Sequence, residues 1–231
     1  MLQLTGKKIK LFFYLVLFIL LSTQITRDQN VNKNSYMEVR YIQVFGLSED
    51  DNTDISKKLN SLLFKNIFVI NKNNFIAILK KNNLIESFTI KKFYPNLIRV
   101  DIKKTDFLGI TSQNNKKYYI GSNAKLIPVQ SINYVNKDLP FIFGKVNYDD
   151  FVHLKKIIDK SEFVFEEIDS FYYFPIKRWD IKTKSGLLIK LPKQNMIESL
   201  KIAQIIQSNN EFKDDKIIDL RVSNHVITSN D

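Results

Sequence analysis

The longest apolar run in the chain lies near its start: Leu11 to Leu21 (LFFYLVLFILL) is unbroken, and Lys7, Lys8 and Lys10 precede it. Basic residues before a hydrophobic segment hold that end in the cytoplasm. At about 1.5 Å per residue the run covers half of a hydrocarbon core of about 30 Å. Counted from Ile9 through Ile25 it reaches the lower limit for a span, with Lys10 able to snorkel. Ser22-Thr23-Gln24-Ile25-Thr26-Arg27 lacks the paired small residues of a cleavage site. The pattern therefore predicts an uncleaved signal-anchor over 9–25, a cytoplasmic tail over 1–8, and the rest of the chain on the far side. A polar, Asn-rich linker comes next, over 26–36.

Beyond the linker the periodicity alternates between strand and helix. Glu38 to Phe45 places Val39, Tyr41 and Gln43 on one face and Arg40, Ile42 and Val44 on the other, and Gly46 ends the strand. Asn52, Thr53 and Asp54 offer N-caps for a helix carrying Ile55, Leu59, Leu62 and Leu63, and a second short helix fits Asn74 to Lys81. Leu84 to Tyr94 is a strand, Pro95-Asn96 a turn, and Leu97 to Lys103 returns with Leu97, Arg99 and Asp101 opposite Ile98, Val100 and Ile102. This β-α-α-β-β order over 37–105 resembles that of a POTRA domain.

From 106 to 228 strands predominate, before a short tail over 229–231. Tyr118 to Ile120 and Lys125 to Val129 flank a turn, and Leu139-Pro140 opens a short element. Asp149 and Asp150 start a helix with Phe151, Leu154, Ile157 and Ile158 inward. In the hairpin Arg178 to Leu191, Trp179, Ile181 and Thr183 alternate with Asp180 and Lys182 around Lys184-Ser185-Gly186. Asn195 with Glu198 has the spacing of a capping box for a helix burying Met196, Leu200, Ala203 and Ile206, and Lys216 to Thr228 supplies a last strand. Trp179 is expected in the core.

Composition narrows the function. The 231 residues have 44% hydrophobic and 26% charged content, which excludes wholesale disorder and a many-helix membrane protein. Without cysteine there are no disulfides, thiolate nucleophiles or Cys-ligated metals. A net charge of +11 invites a nucleic-acid reading, but only five of the 35 basic residues are arginine, the residue whose forked geometry suits that task. No nucleic-acid partner is expected.

Several short signatures occur in the order seen in the FtsQ/DivIB family of cell-division proteins. They are Phe93-Tyr94-Pro95-Asn96-Leu97, Leu139-Pro140-Phe141-Ile142-Phe143-Gly144, Arg178-Trp179 with Ser185-Gly186 and Leu191-Pro192, and Ile218-Asp219-Leu220-Arg221. The chain departs from the family at Lys104-Thr105-Asp106-Phe107 and Gly121-Ser122-Asn123-Ala124. The resemblance implies an α+β protein with a single N-terminal transmembrane helix, a POTRA domain, and a β-rich partner-binding domain. It further implies an inner-membrane, single-pass divisome scaffold at the division septum, with its C-terminal region periplasmic. The scaffold would bind FtsB/FtsL-like coiled-coil partners by strand addition, and other divisome components through the POTRA domain.

The matching partner strand is Val222-Ser223-Asn224-His225-Val226-Ile227, directly after Arg221, and Arg178 is placed to meet a partner carboxylate. Thr89, Lys91 and Lys92 are the expected POTRA docking residues. The second reading is a POTRA-bearing secretion or outer-membrane assembly factor, but such proteins carry a barrel of many strands after the POTRA units.

No enzyme is expected. Ser122-Asn123-Ala124-Lys125, Ser131-Ile132-Asn133 and Lys184-Ser185-Gly186 mimic the elements of penicillin-recognising serine peptidases. Ser122, however, reads as a turn residue rather than the start of a helix, and Lys184-Ser185-Gly186 reads as a hairpin turn rather than a strand. His153 and His225 are the only histidines, too few for a His-rich metal site, and no phosphate-binding glycine loop exists. Neither metal nor cofactor is expected.

Overall fold

The computed structural model describes residues 6–24, 35–132, 138–209, 216–222 and 225–230. The apolar run lies in helix α1 (Gly6–Gln24), whose apolar side chains from Leu11 to Leu21 are exposed. This helix corrects the expected membrane anchor. It is 19 residues long but includes the lysines at 7, 8 and 10, and no described helix is long and apolar enough to cross a membrane. The charge-free stretch begins only after Lys10, and at about 1.5 Å per residue its apolar part is far shorter than a core of about 30 Å. The expected span over 9–25, the single-pass inner-membrane placement and the cytoplasmic-to-periplasmic topology all rested on that anchor. They are withdrawn with it.

The first packed unit is built from β1 (Tyr41–Phe45), α2 (Glu49–Leu59), α3 (Lys72–Leu79), β2 (Ile85–Phe93) and β3 (Leu97–Lys104). Strand β3 is central, parallel to β1 and antiparallel to β2. Alternation along β3 buries Ile98, Val100 and Ile102 against Ile55 and Leu59 of α2 and Phe75 and Leu79 of α3. Leu97, Arg99 and Asp101 are left on the open face.

Helix α2 starts earlier than the sequence suggests. Ser48 caps it by accepting the Asp51 N–H at 3.3 Å, which places Glu49, Asp50 and Asp51 in the first turn, where the helix dipole favours acids. The capping box belongs to α3, between Asn71 and Asn74. Strand β1 begins at Tyr41, because Glu38 and Val39 instead pair with the loop at Asn66 and Lys65. Gly46 ends β1 at φ +110°, where a Cβ would lie 1.8 Å from the Ile102 carbonyl oxygen.

The second unit contains β4 (Phe107–Gln113), β5 (Lys116–Gly121), β6 (Leu126–Pro128), β7 (Phe141–Phe143), α4 (Tyr148–Lys160) and β8 (Ile168–Phe174). It continues with β9 (Arg178–Thr183), β10 (Leu188–Lys190), α5 (Met196–Ser208), β11 (Ile217–Asp219) and β12 (Ile227–Ser229). Its strands form one sheet in the order β12-β11-β10-β9-β8-β7-β4-β5-β6. Helices α4 and α5 cover one face, where Phe151, Leu154, Ile158, Leu200, Ala203 and Ile206 meet Ile142, Phe171, Trp179, Ile181, Ile189 and Ile218. Trp179 is a core residue, buried among Phe151, Phe171 and Tyr173.

Two local expectations change here. Asn195 precedes α5 in the left-handed conformation (φ 57°) and makes no side-chain cap, so the box with Glu198 does not form. The single last strand expected over 216–228 is two strands. Because β12 runs antiparallel to β11, the chain reverses between Asp219 and Ile227.

Candidate functional site

Strand pairing carries one row of side chains across the uncovered face of the large sheet. Phe143 pairs with Tyr172, Tyr172 with Asp180, Asp180 with Lys190, Lys190 with Asp219, and Asp219 with Ile227 on β12. Trp179 and Ile181 turn toward the helices, so alternation sends Arg178 and Asp180 to the opposite face. The guanidinium of Arg178 lies 4.2 Å from the ring centroid of Phe174, its cross-strand neighbour. Arg221, just past β11, grips Asp219: its Nε donates to Oδ1 at 2.7 Å and to Oδ2 at 2.9 Å, and a terminal nitrogen also donates to Oδ2.

The electrostatics of the two carboxylates differ. Burial pushes Asp180 above the ordinary carboxylate value, against the pull of Arg178 first and of Arg221 and Lys190 after it. Arg178 Nε approaches Asp180 Oδ1 to 3.2 Å without hydrogen-bond alignment, so both buried atoms lack a hydrogen-bond partner. Hydrogen bonds from Arg221 hold Asp219 below its ordinary value. One arginine is thus spent on its aspartate, while the other keeps buried donor capacity beside an imperfect ion pair.

The row ends at a border. Strand β12 is terminal in the sheet, and no described strand pairs with its outer side. Ile227 opens β12, whereas Val222, His225 and Val226 lie in the preceding reversal; Ser223 and Asn224 fall outside the described residues. Val222, Val226 and Ile227 are exposed apolar side chains. On the helix side, a groove of about 510 Å³ is lined by Ile202, Leu220, Val222 and Val226, with Glu198 and Lys193 also in its wall. Arg178, Arg221 and Ile227, three of the residues the sequence singled out, lie on or beside the same strands as Asp180, Lys190 and Asp219. Asp180 and Lys190 carried no signal beyond their polarity at alternating strand positions, and Asp219 was marked only as part of Ile218-Asp219-Leu220-Arg221.

The POTRA-side residues separate. Thr89 and Lys91 lie on the open face of the small sheet, where Lys91 pairs with Asp101 at 3.0 Å. Lys92 points the other way, and its ammonium donates to the carbonyls of Ile67 (2.7 Å) and Ile70 (2.5 Å). Adjacent strand residues face opposite sides, so Lys91 and Lys92 cannot share a docking surface. Arg99 occupies the centre of the open face, 5.2 Å from the ring centroid of Phe45 and 5.3 Å from that of Phe93.

The peptidase-like residues are committed to structural bonds. The Ser122 hydroxyl donates to Glu86 at 2.6 Å, the Lys125 ammonium to the Lys80 carbonyl at 3.0 Å, and Ser185 bonds Thr183 at the hairpin turn. No cluster of candidate metal ligands occurs among the described residues.

A three-stranded sheet backed by two helices, followed by a larger nine-stranded sheet, defines an α+β protein of two units, the first with the element order of a POTRA domain. The family model for the FtsQ-type POTRA domain matches residues 37–104. The chain is similar to the cell division protein FtsQ of Rickettsia bellii, 24% identical over 184 residues, which is 78% of this chain and 67% of that protein. It is also similar to the cell division protein FtsQ of Rickettsia felis, 22% identical over 232 residues, 95% of this chain and 85% of that protein. A third match, the cell division protein FtsQ of Rhizobium meliloti, is 22% identical over 60% of this chain and 45% of that protein. The chain carries an FtsQ-type POTRA domain and is similar to cell-division proteins of the FtsQ/DivIB family. Proteins of this family are scaffolds, not enzymes.

Proposed function

We propose that the chain serves cell division as a scaffold that captures an extended segment of an FtsB/FtsL-like partner on the outer side of β12. The observation that carries this reading is the position of β12 at the end of the sheet, with no described strand beside it. An added strand satisfies the backbone groups of such a border, and its alternate side chains select the partner. One set would face the row of Asp180, Lys190 and Asp219, flanked by Arg178 and Arg221, and the other the apolar groove beside α5. Arg178, with buried donor capacity left over, is the residue proposed to receive a partner carboxylate.

A second docking surface on the open face of the POTRA sheet, around Thr89 and Lys91, is proposed for other division proteins. Its support is the exposed group of Tyr41, Phe45 and Phe93 around Arg99, whose buried Nε has no hydrogen-bond partner.

The test is to replace both Ile227 and Thr228 by proline; their N–H groups face opposite sides of β12, so the pair removes one outer-edge donor and breaks extended pairing. Partner capture by the full chain is then measured by titration calorimetry, with circular dichroism confirming the fold. Loss of binding is expected. Undiminished affinity in a folded variant excludes β12 as the docking edge.

A further inference from the structure

The other border of the large sheet is β6, and the first unit sits on it. The Gly121 N–H donates to the Lys125 carbonyl at 2.9 Å, so Lys125 turns its backbone toward β5. Alternation then turns Ile127 inward and Leu126 and Pro128 outward. Of these outward groups, the Leu126 carbonyl accepts from Asn83 Nδ2 at 2.8 Å and the Pro128 carbonyl from the Ser131 hydroxyl at 2.7 Å. Pro128 has no N–H to offer. Only the Leu126 N–H is left for an incoming strand.

Asn83 is held in place from the same side. Asn123 Nδ2 donates to the carbonyls of Asn83 (2.9 Å) and Ile85 (3.0 Å), Lys125 reaches the Lys80 carbonyl, and Ser122 reaches Glu86. Every one of these bonds joins the turn between β5 and β6 to the end of α3 or the start of β2. The turn itself is tight: a Cβ on Gly121 would lie 2.6 Å from both Asn123 Oδ1 and Thr105 Oγ1. Alongside runs a cleft of about 690 Å³ lined by Ile55, Ile78, Asn83 and Leu84 of the first unit and Ile127 and Pro128 of the second. The next strand of the sheet would have to lie about 4.8 Å beyond β6. The segment carrying Asn83 already bonds the edge there.

We infer that the POTRA-side unit is an intramolecular plug for the β6 edge, which leaves the sheet a single strand-accepting border and limits each chain to one captured segment. The count of one rests on the proposed role of β12; the plug does not. Removing the plug exposes β6 to the β6 of a second copy.

The experiment compares the full chain with its N83A/P128T variant by sedimentation velocity over a range of concentrations, with circular dichroism confirming the fold. The variant is expected to rise with concentration toward twice the mass of the wild-type species, and to do so equally when Thr228→Pro is added. A folded variant that associates no more than wild type overturns the plug. Association abolished by Thr228→Pro also overturns it, because the contact would then run through β12. Loss of partner capture by the proline variants leaves this result unaffected, so the two readings fail separately. If N83A/P128T does not fold, Asn123→Ala, which leaves β6 intact and removes two of the bonds that hold the Asn83 segment, is expected to raise the mass in the same direction. An unchanged mass, accompanied by faster amide exchange at residues 83–86, sinks the idea.

Discussion

The two borders of the nine-stranded sheet are both short strands of three residues, yet they face different surroundings. At β6 a proline removes one donor, a serine and an asparagine occupy two carbonyls, and the neighbouring unit stands alongside. At β12 no described strand pairs with the outer side, and the exposed side chains beside it include the apolar Val222, Val226 and Ile227. Proteins protect exposed edges because unpaired backbone groups recruit other chains. Under the proposed function, guarding β6 and leaving β12 free gives assembly a direction. The contrast also separates two jobs for the same kind of residue: the polar side chains around β6 close the molecule on itself, while those around β12 are arranged along a face open to others.

Four measurements can break or sharpen that contrast. The largest effect is expected from the Ile227→Pro/Thr228→Pro change, which should weaken partner binding by about 100-fold or more, within the range of a lost interface core. Next come cavities beneath each edge. Ile218→Ala under β11 and Ile127→Ala in β6 should each cost about 2–4 kcal/mol in denaturant unfolding, both residues being buried. Only Ile218→Ala should also weaken partner capture, and equal losses of binding would erase the distinction between the borders.

A smaller change is expected from Arg178→Met, which leaves the buried Asp180 without its nearest cation and should cost about 1–3 kcal/mol of stability. Adding Asp180→Asn should recover part of that loss; a strictly additive double variant argues that the two side chains do not interact.

The pH response should be smallest. Asp219 near β12 and Glu86 near β6 are both held below their ordinary values, Asp219 chiefly by Arg221 and Glu86 chiefly by Ser122. Each therefore contributes stability that is present above the ordinary carboxylate value and is lost as pH falls through the depressed one. Asp180, raised by burial, acts oppositely: its cost appears as pH climbs from the ordinary value through the raised one. Thermal melts across the acid range should show Asp219→Asn and Glu86→Gln flattening the acid-side decline and Asp180→Asn steepening it. An unchanged acid limb in all three would place the titrating groups elsewhere.

Much of this was legible in the residues themselves. Alternation of Ile98, Val100 and Ile102 with Arg99 and Asp101 identified β3 and its buried face, and the same period placed Trp179 in the core. The hairpin around Gly186 was readable because a left-handed glycine between two alternating runs leaves few other solutions. The amino-terminal run was misjudged because hydropathy was weighed over a window that absorbed Lys10 and ended outside the described helix. The last strand was misjudged because periodicity reports which residues alternate, not where a chain reverses. Thr89, Lys91 and Lys92 were named together from their position on one strand, although Lys92 faces the opposite side from the other two.

By itself the sequence determined the order of the elements in the first unit and the apolar side of the strands and helices it identified, since both arise from local periodicity and turn chemistry. Which strands are neighbours, that Asp180, Lys190 and Asp219 form one row, and that Asn83 reaches Leu126 across 43 positions were decided only in the tertiary structure. Those contacts depend on how separate segments pack, and a backbone edge is open or closed only with respect to what stands next to it.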